Sequence, residues 1–153
     1  MRNLMNKKLI GVALCTYHLA LCFSAAAQQP KIFRIGFLVA GPRASVANRI
    51  EAFRAGLREL GYVDGKNLVV EERYGDAKIE RVPELAAELV RLKVDVIVTG
   101  GSQATGPAKK ATSTLPIVMA QDNDPVGSGF VASLAQPGGN ITGLANLNSE
   151  LSG

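Results

Sequence analysis

Residues 94 to 129 read VDVIVTGGSQATGPAKKATSTLPIVMAQDNDPVGSG, and two short apolar runs within this stretch decide the fold. Val94-Asp95-Val96-Ile97-Val98 and Ile117-Val118-Met119-Ala120 are rich in β-branched residues and bounded by Gly and Pro, the pattern of strands buried on both faces. Strands of that kind belong to parallel sheets. Each run opens into a polar loop, Gly100-Gly101-Ser102-Gln103 after the first and Gln121-Asp122-Asn123-Asp124 after the second. Open α/β sheets bind ligands just outside the carboxyl ends of their strands, so these two loops form the expected binding surface.

Upstream, Phe33 to Val39 reads as a first strand that ends in the loop Ala40-Gly41-Pro42-Arg43. Val46, Ile50, Phe53, Leu57 and Leu60 then recur at helical spacing, with Glu51, Arg54, Arg58 and Glu59 on the other face. Gly61 supplies a stop. After the turn signal Asp64-Gly65, Leu68 to Tyr74 reads as a second strand whose Glu71, Glu72 and Arg73 suit a sheet edge. Val82, Leu85, Ala86 and Leu89 line one face of a second helix, with Pro83 acceptable in its first turn. A third, short helix is expected over Ala108 to Thr112, starting at Gly106 or Pro107, because an interior Pro costs about 3 kcal/mol.

Downstream, Pro116 opens the fourth strand, Gly127 to Leu134 reads as a small helix, Pro137-Gly138-Gly139-Asn140 turns, and Ile141 to Ala145 is a fifth strand. The order β-α-β-α-β-α-β-α-β predicts an α/β fold, a doubly wound parallel sheet with helices on both faces and strand order 2-1-3-4-5. The switch point then lies between the first and third strands, where the Gly41 and Gly101 loops flank one crevice and the Asp122 loop lies beside it.

Residues 1 to 27 have a different character. Arg2, Lys7 and Lys8 form a basic start, Leu9 to Phe23 an apolar run, and Ala25-Ala26-Ala27 a small-residue site, together describing a signal peptide cleaved after Ala27. Leu14 and Leu21 precede the two cysteines, Cys15 and Cys22, which argues against lipidation. Of the 17 Lys+Arg in the chain, three lie in this leader, so residues 28 to 153 carry 14 against 13 Asp+Glu. That balance leaves no basic footprint for nucleic acid. Both cysteines and the single histidine also belong to the leader. Ser-His-Asp and Cys-His catalysis, Cys/His zinc sites and His-ligated haem therefore each lack a required residue downstream of it. No other apolar run approaches the ~20 residues that span a bilayer, so residues 28 to 153 are expected to form one soluble, exported domain. The polar end Leu151-Ser152-Gly153 closes no element, and suits either a natural short product or a truncated gene.

Neither G-x-G-x-x-G nor G-x-x-x-x-G-K-[ST] occurs, and no cofactor is expected. Gly100-Gly101-Ser102 would let a backbone approach a ligand closely, with N–H donors and a hydroxyl that suit a carboxylate; it also suits an ordinary strand-to-helix turn. Asp122 and Asp124 could bind an ammonium group or a divalent metal, or serve as an acid/base pair. Asp124, preceding Pro125, equally fits a turn or cap, which leaves Asp122 the better ligand candidate. Lys109-Lys110 reads as a solvated helix face.

Five strings carry a resemblance to a known family: Phe53-Arg54-Ala55-Gly56-Leu57-Arg58-Glu59-Leu60-Gly61-Tyr62; Leu85-Ala86-Ala87-Glu88-Leu89-Val90; Lys110-Ala111-Thr112 with Pro116-Ile117-Val118; Asp124-Pro125-Val126-Gly127; and Pro137-Gly138-Gly139-Asn140-Ile141-Thr142-Gly143. Together, from Ile32 to the end, the chain resembles the substrate-binding proteins of ABC transporters, in the group similar to the tryptophan/tyrosine-binding type. The resemblance implies a type I periplasmic-binding-protein fold, two α/β lobes closing on a small ligand, with residues 28–153 as the N-terminal lobe and the second lobe missing. It implies ligand contacts at Ala40 and Gly41, at Gly101, Ser102 and Gln103, and at Asp122 and Asn123, with no catalytic residue and no metal. The implied function is a periplasmic receptor that captures a small molecule, an amino acid or similar zwitterion, for ABC permease subunits, meeting the membrane only through them. An exported ligand-sensing module is the alternative. An enzyme of flavodoxin-like or hydrolase type is kept open by Asp122, Asp124 and Ser102.

Overall fold

Burial on both faces of the central strands sets the architecture of a computed structural model that describes residues 31–146. The expected leader at 1–27 and the polar end at 151–153 lie outside the described residues. In chain order the elements are β1 (Phe33–Val39), α1 (Ala47–Glu59), β2 (Leu68–Tyr74), α2 (Val82–Arg91), β3 (Val96–Gly100), α3 (Ser102–Ala111), β4 (Ile117–Asp122) and β5 (Ile141–Ala145), with short 3-10 turns at Arg43–Ser45 and Ile79–Arg81. All four strand pairings are parallel, and the sheet order is β2-β1-β3-β4-β5, as the alternation predicts.

Successive side chains leave a strand on opposite faces, and the core divides accordingly. Leu38, Ile97, Ile117, Met119 and Ile141 pack with Val82, Leu85 and Leu89 of α2 and with Ala104 and Ala108 of α3. On the other face Ile35, Phe37, Val39 and Val98 pack with Val46 and Ile50, joined by Phe53 and Leu57 of α1. Each fully buried Leu, Ile or Val contributes roughly 1.5–3 kcal/mol, so these two layers hold the sheet to its helices. Helix α1 ends as its glycine predicts. Gly61 adopts φ +85, its N–H donates to Arg58 O at 2.9 Å and the Tyr62 N–H to Leu57 O at 2.8 Å, the paired bonds of a Schellman cap.

Three expectations are corrected. Strand β3 runs Val96–Gly100 and not Val94–Val98. Val94 is instead a buried residue just ahead of it, and the Asp95 N–H donates to Arg34 O at 2.8 Å. Helix α3 begins at Ser102, and Pro107 sits inside it. The cost of Pro107 is met because Gly106 has no Cβ to clash with the ring, and because burial of Ala104, Thr105 and Ala108 holds the turn before it. The small helix expected over Gly127 to Leu134 is absent. The segment folds as successive turns, with Ser128 N to Asp124 O, Gly129 N to Val126 O and Phe130 N to Pro125 O, spacings of four, three and five that no regular helix repeats. The β4–β5 crossover therefore carries no helix.

Candidate functional site

Strand β3 delivers the chain to a corner that only glycine can turn. Gly101 has φ 102 and ψ 168, outside the ordinary range of L side chains, and α3 starts at the next residue. The corner is locked from within. The Ala104 and Thr105 N–H groups both donate to Gly101 O at 3.0 Å, the Thr105 hydroxyl donates to the same oxygen at 3.1 Å, and the buried Thr99 and Thr105 hydroxyls meet at 2.8 Å. Beside it β4 continues through Gln121 to Asp122, which brings its polar end level with Ser102. The result is a crevice of about 100 Å³ lined by Arg49, Gly100, Gly101, Ser102, Gln121, Asp122 and Asn123.

Its two ionic groups are held differently. Asp122 is 2% exposed. One carboxylate oxygen, Oδ2, accepts the Ser102 hydroxyl at 2.9 Å and the other, Oδ1, accepts the Asp124 N–H at 3.1 Å, while the Asp122 carbonyl takes the Asn146 N–H at 2.7 Å. Arg49 reaches in from α1 and is exposed. Its Nη1 donates to Gln121 Oε1 at 3.1 Å and its Nη2 to Ser45 O at 3.5 Å, and among the described residues no carboxylate pairs with it. A cation and an anion thus face one small space. Sharing Arg49, Gly100 and Gln121 with this crevice is a second, apolar pocket of about 70 Å³ whose other walls are Phe37, Val46, Phe53 and Ala120. The Phe37 and Phe53 rings in it stand 5.8 Å apart.

Of the residues singled out in sequence, Gly101, Ser102, Asp122 and Asn123 line the polar crevice. Ala40, Gly41 and Gln103 do not. Ala40 is buried in the core with its carbonyl accepting the Ala77 N–H at 3.0 Å, Gly41 packs near Ser45, and Gln103 is exposed on α3. Asp124 serves the turn, its Oδ1 accepting the Gly127 N–H at 2.7 Å. Lys109 is not a purely solvated residue, since its Nζ donates to Gly129 O and ties α3 to the turns beyond β4. Arg49 is the residue that sequence reasoning missed, while Gln121 stood in the expected binding loop without being named as a ligand contact. The signal for Arg49 was present: it stands three residues after Val46 and four before Phe53, so it shares the edge of the apolar stripe that α1 lays on the sheet. Among the described residues there is no cluster of three or more His, Cys, Asp or Glu that could hold a metal ion, and no helix long and apolar enough to cross a membrane.

A second charge cluster lies on β2, at the sheet edge. Glu72 accepts from Tyr74 Oη at 2.6 Å, Arg54 Nη2 at 2.7 Å and Arg43 Nε at 3.3 Å, and Arg54 also pairs with Asp64 at 2.8 Å. Burial pushes the Glu72 carboxyl up, but the donations from Tyr74, Arg54 and Arg43 outweigh it and hold the group below its ordinary value. Burial, and then the bond to Glu72, pushes the Tyr74 phenol up to about 12. On the opposite face of the same strand Arg73 bonds Glu88 at 2.9 Å and Arg34 bonds Glu71 at 3.1 Å.

Comparison with known proteins places the chain in a family. The family model described as ABC transporter substrate binding protein matches residues 35–151. A tyrosine-binding protein of Clostridioides difficile is 30% identical over 122 residues, which cover 80% of this chain and 35% of the relative. Among solved structures, a conserved domain protein from Vibrio cholerae superposes with a TM-score of 0.73 at 28% identity, over 78% of this chain and 40% of that one. An ABC domain from Streptococcus pneumoniae, solved in complex with L-Trp, gives a TM-score of 0.69 at 29% identity, over 74% of this chain and 38% of that one. The chain spans little more than a third of the length of the curated relative it matches.

Proposed function

The chain belongs to the family of ABC transporter substrate binding proteins, and from that premise we propose that its crevice binds a small zwitterion, an amino acid with an apolar side chain, as the extracytoplasmic receptor of an ABC importer. One observation carries the reading. Arg49, a cation with no acid beside it among the described residues, and Asp122, a buried carboxylate, line the same crevice. Opposite ends of a ligand would each find a charged partner there. The adjoining pocket of Phe37, Val46, Phe53 and Ala120 offers the side chain an apolar wall, as small-molecule sites commonly do. That one relative is a tyrosine-binding protein and another was solved in complex with L-Trp supports that chemistry. The leader-like sequence at residues 1–27 supports an extracytoplasmic, periplasmic location, and membership of the family supports delivery to ABC permease subunits.

Titration calorimetry of the chain with L-tryptophan, with glucose and AMP as controls, tests this. L-Tryptophan should bind and the controls should not. Arg49→Met should weaken L-tryptophan about tenfold or more, the scale of a hydrogen bond to a charged group, and leave the melting of the unliganded chain nearly unchanged, because Arg49 is exposed. Equal affinity in Arg49→Met and the unsubstituted chain would refute the reading, as would binding of the sugar or nucleotide alone.

A further inference from the structure

We infer that Ser102 presents its lone pairs to the crevice, so that the ligand group it takes is an N–H donor, an ammonium and not a carboxylate, and that Asp122 is the positioning residue which sets this polarity. The inference rests on the zwitterion reading and assigns one end of the ligand within it. A serine hydroxyl has a single proton and two acceptor lone pairs, whereas an ionised carboxylate only accepts. The 2.9 Å contact between Ser102 Oγ and Asp122 Oδ2 therefore commits the serine proton to Asp122.

That commitment is held in place on every side. Asp122 is 2% exposed, and a buried carboxylate oxygen left without its donor is costly. Its Oδ1 accepts the Asp124 N–H and its carbonyl the Asn146 N–H, so both the side chain and the backbone of the residue are anchored. Ser102 itself stands at the first position of α3, its backbone fixed by the Gly101 corner. The Asp122 charge thus reaches the crevice through the serine oxygen, which it makes a stronger acceptor. Arg49, on the same crevice, presents only donors, and its bond occupies Gln121 Oε1, which leaves the Gln121 amide NH₂ as a further donor. The site is divided into an acceptor side at Ser102 and a donor side at Arg49 and Gln121. It selects α-amino acids over the same molecules without the amino group, because a site built to hydrogen-bond a group rejects the analogue lacking it.

The test uses three probes on the full chain: L-tryptophan, tryptamine, which lacks the carboxylate, and indole-3-propionate, which lacks the amine. Ser102→Ala should weaken L-tryptophan and tryptamine by a similar factor, about tenfold, and leave indole-3-propionate within about twofold. Ser102→Thr, which retains the oxygen, should restore both. If Ser102→Ala weakens indole-3-propionate and spares tryptamine, the hydroxyl donates to a carboxylate and the inference is overturned while the zwitterion reading stands. If the unsubstituted chain binds none of the three probes, the zwitterion reading itself falls and takes the inference with it. Should the alanine variant fail to fold, the unsubstituted chain still decides: N,N,N-trimethyl-L-tryptophan keeps the charge but has no N–H, and must bind at least tenfold more weakly than L-tryptophan. Equal binding overturns the assignment.

Discussion

Two clusters of charge are held by this sheet, one at the β2 edge and one at the ends of β3 and β4, and they are built on opposite principles. At the β2 edge every member answers another: Glu72 takes Tyr74, Arg54 and Arg43, Arg54 also meets Asp64, and Arg73 meets Glu88. At the β3–β4 crevice the charges do not meet. Asp122 is satisfied by a hydroxyl and an amide, and Arg49 by an amide oxygen and a carbonyl, so net charge of each sign is left facing the same space. Both clusters contain Arg and an acidic residue, yet the first is consumed in holding an edge strand and the second is available to a ligand. What separates them is whether the partners reach one another.

Substitutions that break the edge should cost stability and leave binding alone, the reverse of Arg49→Met. The largest effect is expected from Glu72→Ala. Its side chain is 16% exposed and that of Arg54 27%, so removing the acid leaves the guanidinium with Asp64 as its remaining carboxylate and takes the acceptor from the Tyr74 hydroxyl, at about 2 kcal/mol. Urea denaturation should show the loss, and calorimetry an unchanged affinity for L-tryptophan. A change of tenfold or more in that affinity would mean that the two clusters are coupled.

Tyr74→Phe should cost less, about 1 kcal/mol near neutral pH, and should expose the alkaline limb of the edge. The phenol is pushed up from 10.0 to about 12 in the folded chain, so its protonated form stabilises the fold fully below pH 10, and that contribution is lost as pH rises toward 12. The unsubstituted chain should lose stability more steeply across this window than Tyr74→Phe does. Identical slopes in the two proteins would remove Tyr74 from the cluster's energetics. Glu72, whose folded value is depressed, works in the other direction: its stabilisation is present above its ordinary value of 4.5 and is lost as pH falls through the lower folded value.

The smallest effect belongs to the carboxylate next to the site. Asp124→Asn keeps the Oδ1 that accepts the Gly127 N–H, so stability should fall by about 0.5 kcal/mol or less, with affinity unchanged. A tenfold loss of L-tryptophan affinity would move a ligand role from the Asp122 side chain to Asp124.

Strand-level features were legible because they depend on local pattern. The bounds of β1, β2 and β5 could be read directly, since each lies between Gly, Pro or Asn signals. The α3 start was misjudged because an interior Pro has a known local cost, whereas what offsets it, the burial of Ala104, Thr105 and Ala108, comes from contacts with β3, β4 and α2. The segment after β4 was misjudged for a similar reason. Its apolar residues suggest a helix, but Gly129 at φ +67 and the Asp124 side chain divert its amides into turns.

The candidate site divides in the same way. Sequence by itself determined that small and polar residues, Gly101, Ser102, Asp122 and Asn123, would stand at the carboxyl ends of two adjacent parallel strands, because strand order and loop position follow from the β-α alternation. It also determined, by confining His and Cys to residues 1–27, that the described domain would have neither imidazole nor thiol with which to work. Only the tertiary structure decided that Arg49, 52 positions before Gly101, closes the same crevice, that Ala40 faces the core, and that the serine proton belongs to Asp122. Those are matters of which side chains come within about 3 Å of each other, and such distances are set by how α1 packs on the sheet and how β4 runs beside β3, long-range packing that no local spacing encodes.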